Sequence, residues 1–318
     1  MQAPALSRLV DADATPSTEP DGALAAACRA CGIAKQQDWP VAAWLARAAG
    51  IATGEAYWLC ADPVHFIVGA SELRLGGPVA DLDAADADAL LAMLNAHFAV
   101  DRIGFLAPTP AHWLLRAEVA PRLVTRPPEA AQGAPLLPFL VAGADAARWQ
   151  RWQNELQMLF FEHAVNRRRE AGGQTSVDSL WFWGGGTAVP PTGPANRIFA
   201  DGGLVCDLAE GVGVPWARLP GAFSAMPAAA AGVAWLTPIG EGAQAELHGV
   251  DRAWIAPALR ALNGGSLSEL ELVLTGRALA LRFRASRPSF AQRWRSRIAP
   301  RRAQSRLVRL VAEGSGNP

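Results

Sequence analysis

The chain has 318 residues, of which 51% are hydrophobic and 18% charged, and its 29 basic residues balance 29 acidic ones. This composition is typical of a folded globular protein and excludes a disordered chain. The zero formal net charge argues against affinity of the whole protein for nucleic acid or an acidic membrane. Four cysteines are too few for a disulfide framework, which favours a reducing, cytoplasmic location.

The first 140 residues are predicted to form a loose end followed by an N-terminal lobe. Residues 1–20 contain acidic residues and prolines where a signal peptide needs an apolar run, so they are predicted to be loose. Residues 21–140 form the lobe. It is predicted to contain two short helices on either side of Trp39-Pro40, strands at 57–59 and 65–68 around an Ala-Asp-Pro turn, a helix that begins among acidic residues and ends near Phe98, and a hairpin of 103–106 with 113–116.

The second half is predicted to form a C-terminal lobe. Residues 121–144 are rich in proline and glycine and are the predicted linker, residues 145–290 form the lobe, and residues 291–318 form a tail. The lobe is predicted to hold a long helix from Trp149 to the Gly172-Gly173 stop, strands at 176–183, 197–200 and 232–236, helices at 204–210 and 250–262, and a hairpin of 270–274 with 279–283. The fold class is therefore α/β, with a mixed central sheet flanked by helices and a smaller N-terminal lobe.

The long helix carries the first candidate site residues. Its apolar residues recur at helical spacing: Trp152, Leu156, Leu159 and Phe160. His163 falls within this stripe, Asn166 lies at its edge, and Arg169 lies on the flank. Two interpretations stay open. Either the polar groups hydrogen-bond loop backbone inside the protein, or they line a cleft in which His163 is a general base or an anion ligand.

A strand that ends in three glycines is the second candidate. Trp181 and Trp183 share one face of residues 179–186, and Leu180 and Phe182 share the other, which predicts a central strand of a covered sheet. The glycines then form either a tight turn or a cradle of backbone N–H groups for an anion. The run is neither a P-loop nor a dinucleotide fingerprint, because no Gly-Lys-Ser/Thr follows and Pro190-Pro191 stand where a helix should begin.

Together these segments predict an anion site without an assigned catalytic residue. Its ligand-binding residues are His163, Asn166, Arg169, Gly184, Gly185 and Gly186, supported by Asn154, Glu155, Glu162, Trp181 and Trp183. Asn166 is expected to be buried and bonded to residues 172–186, so that Asn166→Ala costs about 1–3 kcal/mol, whereas Arg169 is expected to be exposed and to face the anion. No metal or cofactor is predicted, because the five histidines are scattered and Cys28-x-x-Cys31 lacks further zinc ligands.

The C-terminus is strongly basic. Ten arginines lie between Arg282 and Arg309, and no acidic residue occurs there before Glu313. This run is either a solvated surface, balanced by acidic residues elsewhere, or a patch for phosphates, nucleic acid or an acidic partner.

The middle block resembles a proteobacterial family called RpfE-type regulatory proteins. The resemblance rests on Asn-Glu-Leu-Gln-Met from Asn154, Glu-His-Ala-Val-Asn from Glu162, Arg169-Glu170 and Ser-Leu-Trp-Phe-Trp-Gly-Gly-Gly from Ser179. Ala-Asp-Pro-Val-His from Ala61 and Leu-Asn-Ala-His-Phe from Leu94 fit the same pattern, so the resemblance covers most of the chain. It implies a bacterial protein with a regulatory role.

A more distant resemblance is to archaeal-type cofactor-independent phosphoglycerate mutases, which are metal-dependent enzymes of the alkaline phosphatase superfamily. The similar positions are His163, Asn166, Arg169, Trp181, Trp183, Gly184 and Gly186. The resemblance implies a degenerate alkaline-phosphatase-like fold. Those enzymes also need an N-terminal aspartate, a serine nucleophile and C-terminal Asp and His metal ligands. This sequence has no Asp-Glu-Ala-Gly-His-like run, which implies that the catalytic machinery is lost.

The leading functional interpretation is a non-catalytic, regulatory, cytoplasmic protein that binds a phosphorylated metabolite and uses no cofactor. The first alternative is an active phosphotransfer enzyme of phosphoglycerate mutase type. The second is an interaction protein that acts through its basic C-terminus, although the sequence specifies no protein partner. Membrane and nucleic acid are not predicted partners.

Overall fold

The computed structural model describes residues 3–12, 17–69, 72–227, 232–236, 244–276 and 279–287. The helices are α1 (Pro4–Ala12), α2 (Gly22–Ala30), α3 (Val41–Ala48), α4 (Ala84–His97), α5 (Pro128–Ala131), α6 (Ala146–Glu162), α7 (Ala164–Ala171), α8 (Leu204–Val212), α9 (Gln244–Val250) and α10 (Ala256–Gly264). A π-helical turn, Asp251–Ile255, joins the last two, and 3-10 turns occur at Ala99–Asp101, Leu137–Phe139 and Phe223–Ala225. None of the helices in these ranges combines the length and the apolar character needed to cross a bilayer.

In the described part of the chain, the strands form three sheets. They are β1 (Ser17–Pro20), β2 (Tyr57–Val68), β3 (Leu73–Pro78), β4 (Ile103–Thr109), β5 (His112–Ala117), β6 (Ser179–Gly186), β7 (Ile198–Phe199), β8 (Trp216–Ala217), β9 (Val233–Ala234), β10 (Glu269–Thr275) and β11 (Leu279–Ser286). One antiparallel sheet has the order β3-β2-β5-β4, with β6 on β2. A second has the order β1-β11-β10, and β8-β7-β9 form a short parallel sheet. The α/β class, with helices packed on sheets, is confirmed.

The chain forms two compact units whose boundaries differ from the predicted lobes. One unit contains residues 27–195 and 202–215, and the other contains residues 1–26, 196–201 and 216–318. The proposed linker, residues 121–144, lies inside the first unit, so the prediction of a seam there is wrong. The physical reason is strand pairing, because β6 from the second half of the chain pairs with β2 from the first half. The arginine-rich tail, residues 291–318, lies outside the described residues.

The prediction of a loose N-terminus is also wrong for the residues that the structure describes. Helix α1 buries Leu6, Leu9 and Val10 in a cluster with Phe283 of β11. The Asp251 carboxylate accepts hydrogen bonds from the first-turn N–H groups of α1, including that of Leu6 at 2.6 Å. β1 pairs with β11. These partners lie more than 200 residues away in sequence, so no local pattern indicates them.

In the first unit, β2 runs through the sequence that was predicted to be a turn. It pairs with β5 at residues 57–60 and with β3 at residues 64–68, so both partners lie end to end along one side of β2. The backbone O of Pro63 accepts a hydrogen bond from Val79 N on that side. Because the N–H and C=O of a strand residue point to the same side, the N–H that proline lacks would also point to the place where β5 gives way to β3. The strand therefore tolerates Asp62-Pro63 without turning.

Strand β6 is buried along its whole length. The prediction that it is a central strand of the sheet is wrong, because within the described ranges β6 pairs with β2 alone. Leu180 and Phe182 pack into a cluster with residues of α4 and α6, as the alternating pattern predicted. Trp181 donates from its indole Nε1 to Arg126 O at 2.8 Å. Helices α3 and α6 both contact β6, so helices and a loop bury a strand with a single strand partner.

The long helix predicted from Trp149 to Gly172 is interrupted. His163 adopts an extended backbone, with φ −76° and ψ 141°, and separates α6 from α7. Its imidazole Nδ1 accepts a hydrogen bond from Val165 N at 3.2 Å, so His163 caps α7 instead of standing within an apolar stripe. The predicted stop at Gly172 is confirmed.

Candidate functional site

Asn166 is a buried structural clamp. Its amide Nδ2 donates to Phe160 O at 2.9 Å and to Val177 O at 2.7 Å, and its Oδ1 accepts from Val177 N at 2.9 Å. The side chain therefore fixes the break between α6 and α7 and the segment that leads into β6. The expectation that Asn166 is buried and hydrogen-bonds residues 172–186 is confirmed.

Asn166→Ala should lower the free energy of unfolding by about 1–3 kcal/mol, because the Val177 N–H and the two carbonyls would lose buried partners. Urea denaturation of the variant measures this loss. Asn154→Ala is the matched control, because Asn154 is an exposed asparagine of the neighbouring helix. Equal denaturation midpoints for the two variants would contradict the clamp.

Arg169 is fully engaged inside the protein. Its side chain is 1% exposed, its Nε donates to Thr175 O at 2.9 Å, and its guanidinium reaches Asp81 at 2.5 Å and Asp86 at 3.6 Å. Asp86 is also buried, in the first turn of α4. The expectation that Arg169 is exposed and faces an anion is therefore wrong. Instead, Arg169 forms ion pairs with two carboxylates that lie more than 80 residues earlier in the sequence.

The glycine run is packed rather than open. A side chain at Gly184 would meet Val41 of α3, one at Gly185 would overlap the Tyr57 hydroxyl, and one at Gly186 would overlap Pro40. These close approaches are what the absence of a Cβ allows. The predicted tight turn is wrong, because the three glycines are the last residues of β6, where they pack closely against neighbouring segments. Anion binding by Gly184, Gly185 and Gly186 stays a prediction without a supporting contact.

His163 differs from the other motif residues because its imidazole is only half-buried. Since Nδ1 accepts from Val165 N, the proton of the neutral ring sits on Nε2, which is then a hydrogen-bond donor. Burial lowers the pKa of His163, and the positive charges of Arg167 and Arg168 lower it further, against a smaller opposite effect of Asp86. The local field at this imidazole is therefore positive.

Arg167 and Arg168, in the middle of α7, supply that field. Arg167 is exposed and donates from Nη1 to Glu162 O at 2.6 Å, which uses one of its amino groups. Arg168 pairs with the buried carboxylate of Asp86. An anion that reaches His163 would therefore meet an imidazole N–H and an arginine with donor capacity to spare.

The residues predicted as support have separate roles. Glu155 approaches His97 at 3.4 Å on the surface, and Asn154 and Glu162 are exposed. Trp183 donates from Nε1 to the carboxylate of Asp62 at 2.7 Å. The predicted set is thus not brought together around one ligand. It divides between the junction of α6 and α7, the buried face of β6, and the surface of α6.

The contact with Asp62 leads to a cluster that sequence reasoning missed. The Asp62 side chain is 5% exposed and accepts from Trp183 Nε1 and, at 3.3 Å, from Trp113 N. His112, at the tip of the β4–β5 hairpin, places Nδ1 3.5 Å from the same carboxylate while its ring is 70% exposed. The signal in the sequence is Asp62 itself, a carboxylate between apolar residues, although the Ala-Asp-Pro pattern predicts a turn there.

The field at His112 is opposite in sign to that at His163. Its hydrogen bond with Asp62 raises the pKa of His112, burial opposes this, and the charges of Asp62, Asp207 and Glu129 raise it further. Burial raises the pKa of Asp207 in turn, against the attraction of His112. The hairpin tip therefore favours a proton, whereas the junction of α6 and α7 favours an anion.

His112 should make the stability of the protein depend on pH. Its pKa is raised above the ordinary value of 6.5, so its contribution is fully present below that pH and is lost as the pH rises through the folded-state pKa. The free energy of unfolding of the wild type should exceed that of His112→Gln most at about pH 6, and the difference should shrink towards about pH 9. Urea denaturation at several pH values measures this. His97→Gln is the control, because both members of the His97–Glu155 pair are well exposed. A difference between wild type and His112→Gln that does not vary with pH would contradict the pairing.

No model of a known protein family matches the sequence, and no curated protein matches it. Solved structures do match. The chain is similar to the cofactor-independent phosphoglycerate mutase from Thermoplasma acidophilum DSM 1728, with 11% identity, a TM-score of 0.40, and coverage of 88% of this chain and 81% of that one. It is also similar to the PH0037 protein from Pyrococcus horikoshii, with 11% identity, a TM-score of 0.45, and coverage of 89% and 80%. The similarity to phosphoglycerate mutase-like proteins is distant.

Proposed function

We propose that this chain is a non-catalytic, regulatory bacterial protein of the RpfE type that binds a phosphorylated small molecule in the cytoplasm. The observation that carries the proposal is the arrangement at the junction of α6 and α7, where the Nε2–H of His163 lies in the positive field of Arg167 and Arg168. Of the residues predicted to bind the anion, this proposal retains His163. Asn166 and Arg169 instead hold the backbone that follows α7, and the glycines pack against α3 and β2.

The electrostatics of the junction favour a phosphate ester. A charge-assisted hydrogen bond is roughly twice as strong as a neutral one, and arginine binds phosphate oxygens with a planar fork. Arg167 is held by Glu162 O on one side, so part of its guanidinium is already oriented. A bound dianion would also offset the repulsion that His163 experiences from the two arginines, so ligand binding should raise the pKa of His163.

The binding role without mutase chemistry is supported by how the motif residues are used. Asp81 and Asp86 neutralise the charge of Arg169, and the side-chain amide of Asn166 forms hydrogen bonds with backbone groups. Side chains tied in this way stabilise the fold and have no reach towards a substrate. In this proposal, Asn166 and Arg169 of the mutase-like motif therefore stabilise the fold and do not bind the ligand.

Binding of 3-phosphoglycerate, measured by isothermal titration calorimetry, should be lost or weakened roughly tenfold in Arg167→Gln, because one charge-assisted hydrogen bond to phosphate disappears. Arg151→Gln is the matched control, an exposed arginine of α6 three turns before the junction. The NMR signals of the His163 ring, followed against pH with and without 3-phosphoglycerate, should report a raised pKa when the ligand is bound. Equal affinity of the two variants would place the ligand elsewhere.

The mutase alternative is tested on the same protein. Incubation of 3-phosphoglycerate with the wild type and added Mn²⁺ should give no 2-phosphoglycerate above a heat-inactivated control. Turnover that a chelator abolishes would establish a phosphotransfer enzyme and overturn the non-catalytic part of the proposal. Binding without turnover is the expected result.

A further inference from the structure

Two large apolar side chains stand in solvent at the end of α6. Phe161 is 80% exposed and Met158 is 64% exposed. They are three residues apart, so they lie on the same face of the helix, while Phe160, about 100° round the helix axis from Phe161, is buried. Single exposed apolar residues are ordinary on protein surfaces. An exposed aromatic ring next to cationic groups, in contrast, can take part in binding a ligand.

The break at His163 places this apolar pair next to the proposed phosphate-binding groups. The Nη1 of Arg167 is 2.6 Å from the backbone O of Glu162, and Glu162 directly follows Phe161 in the chain. The guanidinium therefore lies against the last turn of α6, the same turn that presents the ring. A cation and an exposed apolar surface therefore both occur within residues 158–167.

We infer that the ligand is a phosphate monoester that carries an aromatic or similarly apolar group, whose apolar part packs on Phe161 and Met158 while its phosphate accepts from His163 and Arg167. This inference rests on the proposed phosphate-binding function and adds the chemical class of the ligand. Aromatic rings favour offset or edge-to-face contact with another ring, and a thioether adapts to either. A bare phosphate would use only the charged half of this surface.

The decisive comparison is phenyl phosphate against methyl phosphate, which share the phosphate and differ in the ring. Calorimetric titration of the wild type should give roughly tenfold tighter binding of phenyl phosphate, the factor that corresponds to about 1.4 kcal/mol. Phe161→Ala should bring the two affinities together and leave methyl phosphate unchanged. Leu137→Ala is the matched control, an equally exposed apolar residue of the same unit, and it should retain the preference.

Failure of this inference and failure of the proposed function give different results. If both esters bind equally well to the wild type and Arg167→Gln weakens both, the phosphate site stands and the apolar contact is overturned. If neither ester binds, the proposed function fails as well. Sedimentation with phosphatidic acid vesicles, lost in Phe161→Ala, without any preference for phenyl phosphate in solution, would overturn a soluble ligand in favour of a lipid headgroup.

Discussion

Arg169→Met should lower the free energy of unfolding by about 3 kcal/mol, the lower end of the range for removing one partner of a buried ion pair. The variant leaves the buried carboxylate of Asp86 and the carbonyl of Thr175 without the guanidinium that now serves both. The loss stays near that lower end because Arg168 reaches Asp86 from the solvent side. Chemical denaturation with an unchanged m-value measures it.

The control for Arg169→Met is Arg102→Met. Arg102 is 71% exposed and lies 3.8 Å from Glu118, and removing a surface pair of this kind costs less than about 1 kcal/mol. If Arg169→Met does not fold, Arg169→Lys keeps the charge but loses the planar fork, and it should show an intermediate loss. A denaturation midpoint for Arg169→Met equal to that of Arg102→Met would contradict the role of Arg169 as a buried ion-pair partner.

Elements whose signals are local could be predicted from the sequence. Helix α4 begins where the Asp83 side chain accepts a hydrogen bond from Asp86 N at 2.7 Å. The two residues of this N-cap are only three positions apart, so the sequence alone can indicate it. The β4–β5 hairpin and the breaks at Trp39-Pro40 and Gly172 are local in the same sense. The class of the fold and most of its helices follow from such signals.

Elements that depend on distant partners could not be predicted. The course of β2 through Asp62-Pro63 depends on two different strands that meet along one edge, and α1 depends on Asp251. The Ala-Asp-Pro pattern therefore predicts a turn where β2 continues, and the acidic, proline-containing N-terminus predicts a loose end where α1 forms. A strand can contain a proline at the point where one partner strand ends and the next begins, but the local sequence does not show where that point lies.

The same distinction between near and distant partners in sequence applies to the residues of the candidate site. Asn166 bonds to Val177, eleven residues away, and its role could be predicted because the returning segment is close in sequence. The guanidinium of Arg169 binds Asp81 and Asp86, and Asp62 binds Trp183, which is 121 residues away. A position on the flank of a helical wheel says nothing about a carboxylate that another helix brings to it, so exposure was predicted where burial occurs.

Gly185→Ala should destabilise the protein by about 1–3 kcal/mol, because the added methyl would overlap the buried Tyr57 hydroxyl and lie 2.8 Å from Leu59 Cδ2. Both neighbours belong to β2, the strand that pairs with β6, so neither can move without disturbing the sheet. Gly104→Ala is the matched control in β4 of the same sheet, where the added methyl comes no closer than 3.9 Å to Asn95 Oδ1. Thermal and urea denaturation of the two variants measure the difference. If the glycines formed an open cradle, Gly185→Ala would fold as stably as Gly104→Ala and would instead weaken binding of 3-phosphoglycerate. Loss of stability with unchanged binding is the result expected from packing, because it separates the role of the glycine run from the anion face at His163.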